Sequence, residues 1–209
     1  MMRIESVASQ PDRAGRHTVR FDDGTTMRLY SQTVLDFGLY GGKELSAEEM
    51  KKLQESAGAM SAKMRAVRIV AATNVSERDL EERLVRKGED PKQAKAAVKW
   101  MSELQLVDDQ KTAEQIVQKC ISKGYGPSRV KQALYEKRIP KEYWDAVLEN
   151  YPDQTEAICA YLCTHLADAT DTKQVRKVMD ALLRRGHSYN QIRRGLEQFS
   201  VDIGENPED

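Results

Sequence analysis

Apolar and polar residues alternate with period two in only one part of the chain. Val19-Arg20-Phe21 and Thr25-Thr26-Met27-Arg28-Leu29-Tyr30 flank Asp22-Asp23-Gly24, and two alternating runs about an Asp-Gly turn predict a β-hairpin. Ile4 to Ala8 supplies a third strand, and Val34 to Leu39 reads as a short helical turn leading into Gly41-Gly42. At Ser46 the period changes. Ser46 as cap and Glu49 at the third helical position form a capping box, and strand signals stop there. The expectation is a hairpin extension over residues 1–45, folded by itself and joined through Gly41-Gly42, then a connecting helix over 46–60.

From Ser61 the pattern repeats. Shifts of fifty and then forty-eight positions align Leu80 with Val130 and Val178, and Leu84 with Leu134 and Leu182. They also align Ala94 with Trp144 and Ile192, Val98 with Leu148 and Leu196, and Met101 with Tyr151 and Phe199. Spacings of four on one helix, then four and three on the next, bury one face of each. Gly88-Glu89-Asp90-Pro91, Arg138-Ile139-Pro140 and Gly186-His187-Ser188 separate those two helices, and a further helical run precedes each pair: Ser61 to Thr73, Gln110 to Lys123 and Gln154 to Leu166. The fold class expected is mainly α: three tandem three-helix repeats, 61–108, 109–152 and 153–200, stacked into an elongated curved array behind the small β element. Residues 201–209, with four acids, a Gly and a Pro, read as a disordered acidic tail.

Composition narrows the function. Among 209 residues, 40% are hydrophobic, 6% aromatic and 32% charged, which suits thin helical units and disfavours an enzyme with a large pocket. No run approaches the roughly 20 apolar residues of a membrane span, and the first residues lack the apolar core of a signal peptide, so a cytoplasmic protein is expected. Cys120, Cys159 and Cys163 are odd in number and read as reduced core residues; Cys159, Cys163 and His165 share a helical region but do not complete four metal ligands. His17, His165 and His187 lie in no nucleophile motif, and Glu48-Glu49 and Glu81-Glu82 are adjacent acids that point apart on a helix. Gly124-Tyr125-Gly126-Pro127 lacks the Gly-Lys-Ser/Thr ending of a phosphate loop and reads as a helix connector. No catalytic, cofactor or metal site is expected.

Charge is balanced overall, 33 basic against 33 acidic residues, but it is segregated. Lys119 to Arg138 holds six basic residues and one acid; Lys173 to Arg194 holds seven and one; Glu142 to Asp171 holds seven acids and no Lys or Arg. Alternating blocks allow one surface to meet phosphates and another a protein, although each block can also be a solvated helix face with end charges matched to the helix dipole. Lys87, Lys137 and Arg185 recur at one repeat position and would form a row. Candidate binding residues are Lys87, Lys123, Arg129, Lys131, Lys137, Arg138, Arg176, Arg184, Arg185, Arg193 and Arg194. Trp100, Trp144, Tyr151 and Phe199 fall on the repeating apolar face and read as core, whereas Tyr125 and Tyr189, between helices and near basic residues, could stack on an unpaired base or anchor a loop.

Across Ser61 to Phe199 these residues resemble the RecX family, regulators of the RecA recombinase. Val75-Ser76-Glu77-Arg78-Asp79-Leu80 through Leu84 to Lys87-Gly88 is similar to the family's Ser, acid, Leu, Leu, basic, Gly pattern, and Leu104-Gln105-Leu106-Val107-Asp108-Asp109 closes that unit. Asp109, Ala113, Gly126-Pro127-Ser128-Arg129-Val130 and Leu134 through Lys137-Arg138-Ile139 match the second unit, with Arg138 where the pattern has Gly. The hairpin is similar to an extension of longer family members. The resemblance implies a non-enzymatic, monomeric regulator that binds the RecA filament on DNA, itself holding DNA weakly, and inhibits strand exchange, ATP turnover or filament growth in recombination, repair and the SOS response. A direct DNA-binding repeat protein and a general protein-interaction scaffold are the alternatives.

Overall fold

The computed structural model describes residues 1–204, which divide into two compact units, Met1–Val107 and the part of the chain from Asp108 onward. In the first unit, β1 (Met2–Val7), β2 (Arg16–Phe21), β3 (Thr26–Tyr30) and β4 (Glu44–Leu45) form an antiparallel sheet in the order β3-β2-β1-β4. The hairpin register pairs Val19 with Met27 and Arg20 with Thr26. Its turn is held by Asp23, whose Oδ1 accepts from the Thr25 amide (2.8 Å) and hydroxyl (2.6 Å). Helix α1 (Ser31–Asp36) follows. Strand β4 has no counterpart in the alternation pattern, because two residues are too few to show a period.

Helix α2 (Ala47–Ala72) is unbroken across the expected connector and the first helix of repeat one. It begins at the capping box: Glu49 N donates to Ser46 Oγ at 3.2 Å, and Ser46 N donates to the Glu49 carboxylate at 2.8 Å. Its first half places Leu53 in the core of the sheet with Ile4, Val19, Phe21, Leu29 and Leu45, and its second half places Ala62 and Ala66 among the helices. Gly41-Gly42 is no loose joint either. Gly42 N donates to Ile4 O at 2.7 Å and Ile4 N to Lys43 O at 2.8 Å, so the segment is tied to β1. The sheet and the helix behind it therefore share one apolar core, and the β element is built into the unit rather than hung from it.

Repeat one is completed by α3 (Glu77–Arg86) and α4 (Pro91–Glu103). Ser76 caps α3, and Asp90 with Pro91 at the first helical position starts α4. Where α2 crosses α4, the end of the Gln93 side chain lies over Gly58, where an added Cβ would fall 2.1 Å from its Oε1 and displace it.

The second unit holds repeats two and three. Repeat two is α5 (Asp109–Ser122), α6 (Pro127–Glu136), a 3₁₀ turn (Lys141–Tyr143) and a short α7 (Trp144–Glu149). Repeat three is α8 (Thr155–His165), α9 (Thr172–Arg184) and α10 (Tyr189–Gly204). Helix α10 runs through the first residues of the expected tail, and 205–209 lie outside the described residues. The repeating apolar positions are interior: Leu80, Leu84, Val130, Leu134 and Leu182 are fully buried, and Val178 nearly so. Trp100, Trp144 and Tyr151 pack against these cores and Phe199 lies inside one. Cys120 is buried, Cys159 half-buried and Cys163 exposed, so only the first behaves as the core cysteine expected of all three.

Candidate protein and nucleic-acid interface

Ten of the eleven basic candidates belong to the second unit; Lys87 belongs to the first, where it caps the C-terminus of α3 and its carbonyl accepts from Arg65 at 3.2 Å. The most coherent basic surface lies on α9. Lys173, Arg176, Lys177, Asp180 and Arg184 follow each other at i, i+3, i+4, i+7 and i+11, which places them on one side of the helix, and all five are exposed. The opposite side carries Val178 and Leu182 into the core. Four cations thus share one face with a single acid. Lys173 and Lys177 were not among the sequence candidates, although their spacing relative to Arg184 was available to find them.

Beside this face, Tyr189 (58% exposed) and Leu183 (44% exposed) line a shallow groove of about 370 Å³ with Val175, Arg176 and Met179. Of the two tyrosines considered for stacking, Tyr189 is the one open to a ligand. Tyr125 is half-buried, its carbonyl accepts the Tyr151 hydroxyl at 2.6 Å, and cations cover its ring. Burial pushes the Tyr151 phenol up to about 12, so it remains a donor at neutral pH.

The remaining candidates are dispersed. Lys131, Lys137 and Arg138 are exposed on and just beyond α6, and Lys123 caps α5. Arg129 is half-buried and pairs with Glu136 at 3.7 Å. Arg193 pairs with Glu197 at 3.0 Å, an exposed contact that contributes little and can exchange for another anion. Arg194, one residue on, lines a second groove with Pro127, Ser128, Ser188 and Gln191. Arg138 adopts φ +58, as Gly88 (+90) and Gly186 (+91) do at the equivalent positions, so the left-handed turn after the helix is kept without glycine.

Arg185 differs from its repeat equivalents. Lys87, Lys137 and Arg185 are each the C-cap of the middle helix of a repeat, but Lys87 and Lys137 are exposed while Arg185 is half-buried. Its guanidinium is 5.1 Å from the ring centroids of both Tyr125 and Tyr161, and its Nη2 donates to Lys123 O at 2.5 Å. His187 is buried next to it, with Nε2 3.0 Å from Gly124 O and no hydrogen-bond partner at Nδ1 among the described residues. Facing a carbonyl oxygen, Nε2 is the donor of this bond. Burial lowers its pKa, the Gly124 hydrogen bond opposes this, and the neighbouring Arg185 charge adds to the lowering.

Among the described residues no group of His, Cys, Asp and Glu could hold a metal ion, and no helix is long and apolar enough to cross a membrane. What the geometry offers is a set of exposed cationic faces on short helical repeats, with one aromatic and apolar groove beside the densest of them. That defines a helical-repeat protein with exposed cationic faces.

Comparison with known proteins gives a likeness of sequence and fold. Residues 108–148 match the family model described as RecX, second three-helix domain, and they overlie repeat two. The regulatory protein RecX of Clostridioides difficile (strain 630) is 25% identical over 202 residues, covering 94% of this chain and 95% of the relative. That of Clostridium perfringens (strain SM101 / Type A) is 23% identical over 197 residues, covering 91% and 92%. Among solved structures, a crystal structure of regulatory protein RecX has the same fold, with a TM-score of 0.67 at 20% identity over 93% of this chain and all of that one. RecX from Lactobacillus salivarius gives 0.61 at 18% identity, covering 70% and 99%. The chain thus resembles regulatory protein RecX over most of its length, in sequence and in fold.

Proposed function

We propose that this protein binds the RecA filament on DNA and inhibits its ATP turnover, filament growth and strand exchange, acting in the cytoplasm as a non-enzymatic, monomeric regulator of recombination and repair. The likeness to regulatory protein RecX supports RecA as the target. The observation that carries the binding mode is the outer face of α9, where Lys173, Arg176, Lys177 and Arg184 stand against Asp180 alone. A filament on single-stranded DNA offers phosphates and acidic side chains together, and a cationic face with Tyr189 beside it suits both, because a ring can stack on an unpaired base or pack against a protein. Lys131, Lys137, Arg138, Arg193 and Arg194 extend the same charge over repeats two and three, and Lys87 is a separate cation of repeat one.

Titration of the protein into RecA turning over ATP on single-stranded DNA tests this reading. Turnover falls at protein concentrations well below those that coat the bare DNA. Inhibition only at coating concentrations would identify a direct DNA-binding protein, and no inhibition with no salt-sensitive DNA affinity would identify a general scaffold.

A further inference from the structure

The turn between α5 and α6 and the turn between α9 and α10 are some sixty residues apart in sequence and are locked together within the second unit. Gly126 N donates to Arg185 O at 2.9 Å, and Ser128 N donates to Gly186 O at 3.2 Å. The latter bond replaces a missing cap, since α6 starts at Gly126 with no side-chain acceptor for its first amides. The carbonyl end of α9 thereby meets the amide end of α6, a favourable pairing of helix dipoles. A Cβ at Gly126 would lie 2.1 Å from Gly186 O, and one at Gly186 would lie 2.3 Å from Arg129 N, so the approach excludes any side chain at either position.

Arg185 closes this junction from the side. Its backbone carbonyl takes the Gly126 amide, its guanidinium reaches back to Lys123 O, and the rings of Tyr125 and Tyr161 both lie against it. Tyr161 belongs to α8 and is itself stacked on His165, with centroids 4.0 Å apart and planes 11° apart. One side chain thus touches the α5–α6 turn of repeat two and the first helix of repeat three. Lysine cannot replace it, because only a planar guanidinium can lie against rings and donate sideways at once.

We infer that Arg185 is a positioning residue: it holds the α5–α6 and α9–α10 turns together and so fixes the cationic face of α9 relative to that of α6, without itself meeting the partner. This rests on the reading of those faces as the RecA-filament surface. A rigid pair of faces engages its target as one surface, whereas two loosely joined faces must be oriented on binding, which weakens association without changing the number of ionic contacts.

The test compares Arg185→Lys, Arg185→Gln, Tyr161→Leu and Arg184→Gln in the full chain. Amide exchange at Gly126 and Ser128, measured without any partner, should rise about tenfold or more in both Arg185 variants and in Tyr161→Leu, and stay at the wild-type rate in Arg184→Gln. Inhibition of RecA on single-stranded DNA, measured over a salt series, should weaken in Arg185→Lys as much as in Arg185→Gln with an unchanged salt slope. Arg184→Gln should instead flatten the log–log slope by about 0.7, one single-strand phosphate contact. Unchanged exchange in Arg185→Lys, or a slope flattened by Arg185→Gln but preserved by Arg185→Lys, would overturn the inference. If the wild-type chain does not inhibit RecA, the filament reading fails, and the exchange rates alone decide whether Arg185 holds the turns.

Discussion

Alanine at Gly186 and at Gly88 is the same chemical change at the same repeat position, yet the two should differ in cost. Both glycines follow the middle helix of a repeat in left-handed backbone, φ +91 and +90, where an L side chain costs about 1–2 kcal/mol. At Gly88 nothing lies within 4 Å of the added Cβ, so that is the whole effect. At Gly186 the methyl would meet Arg129 N at 2.3 Å, Arg129 Cβ at 2.6 Å and Gly126 O at 2.9 Å. The neighbours are mostly backbone and cannot rotate away, so the turns must part. That breaks the Gly126–Arg185 and Ser128–Gly186 hydrogen bonds, at about 1 kcal/mol each, and leaves amides of α6 without partners. Gly186→Ala should therefore cost about 3–5 kcal/mol in total, against about 1–2 for Gly88→Ala. Each unit carries one tryptophan, Trp100 in the first and Trp144 in the second, so urea unfolding followed by fluorescence in single-tryptophan variants reports each unit separately. Equal losses from the two substitutions would refute the interlocked turns.

Other consequences follow from the same structure. Arg138→Gly should stabilise the second unit by about 1 kcal/mol, because it relieves a non-glycine residue at φ +58; a loss of stability in urea would show that the Arg138 side chain outweighs its backbone strain. Leu134→Ala, at a site with no exposure, should cost about 2–5 kcal/mol, and a wild-type urea midpoint would contradict the repeat register. His187 has a folded pKa below its ordinary value, so the unfolded chain takes up the proton first: stability is full above about pH 6.5 and falls as the pH drops through that value towards the folded pKa. The decline measured for the second unit should flatten in His187→Asn, and an unchanged slope would remove His187 as its source.

Periodicity made the repeats legible because each middle helix buries Leu or Val at a spacing of four, whatever the rest of the sequence does. It did not show that α2 continues from Ala47 to Ala72. From Ser56 to Ala62 every residue but Met60 is small, which leaves no apolar stripe to read. The β-hairpin was visible in the alternation from Val19 to Tyr30, but its attachment was not, because Leu53 looks like any other helical leucine until the sheet lies over it. The candidate interface was legible as charge and less so as geometry. Arg184 and Arg185 are adjacent and chemically identical, yet one is on the solvent side of α9 and the other turns inward onto Tyr125 and Tyr161. Those partners are brought to it by the tertiary fold and leave no local signal. Glycine at both 126 and 186 was the only trace of the interlocked turns, and each alone reads as an ordinary helix end.

The most direct test of the account reverses charge on the exposed face of α9 and leaves Arg185 in place. Lys177→Glu with Arg184→Glu changes two exposed residues and should leave urea unfolding nearly unaltered, since exposed charges contribute little to folding. Inhibition of RecA ATP turnover on single-stranded DNA by this variant should be much weaker than by the wild-type chain and less sensitive to salt. A folded variant that inhibits as strongly as wild type at every salt concentration would show that the α9 face is a solvated surface and contradict its role in binding the filament.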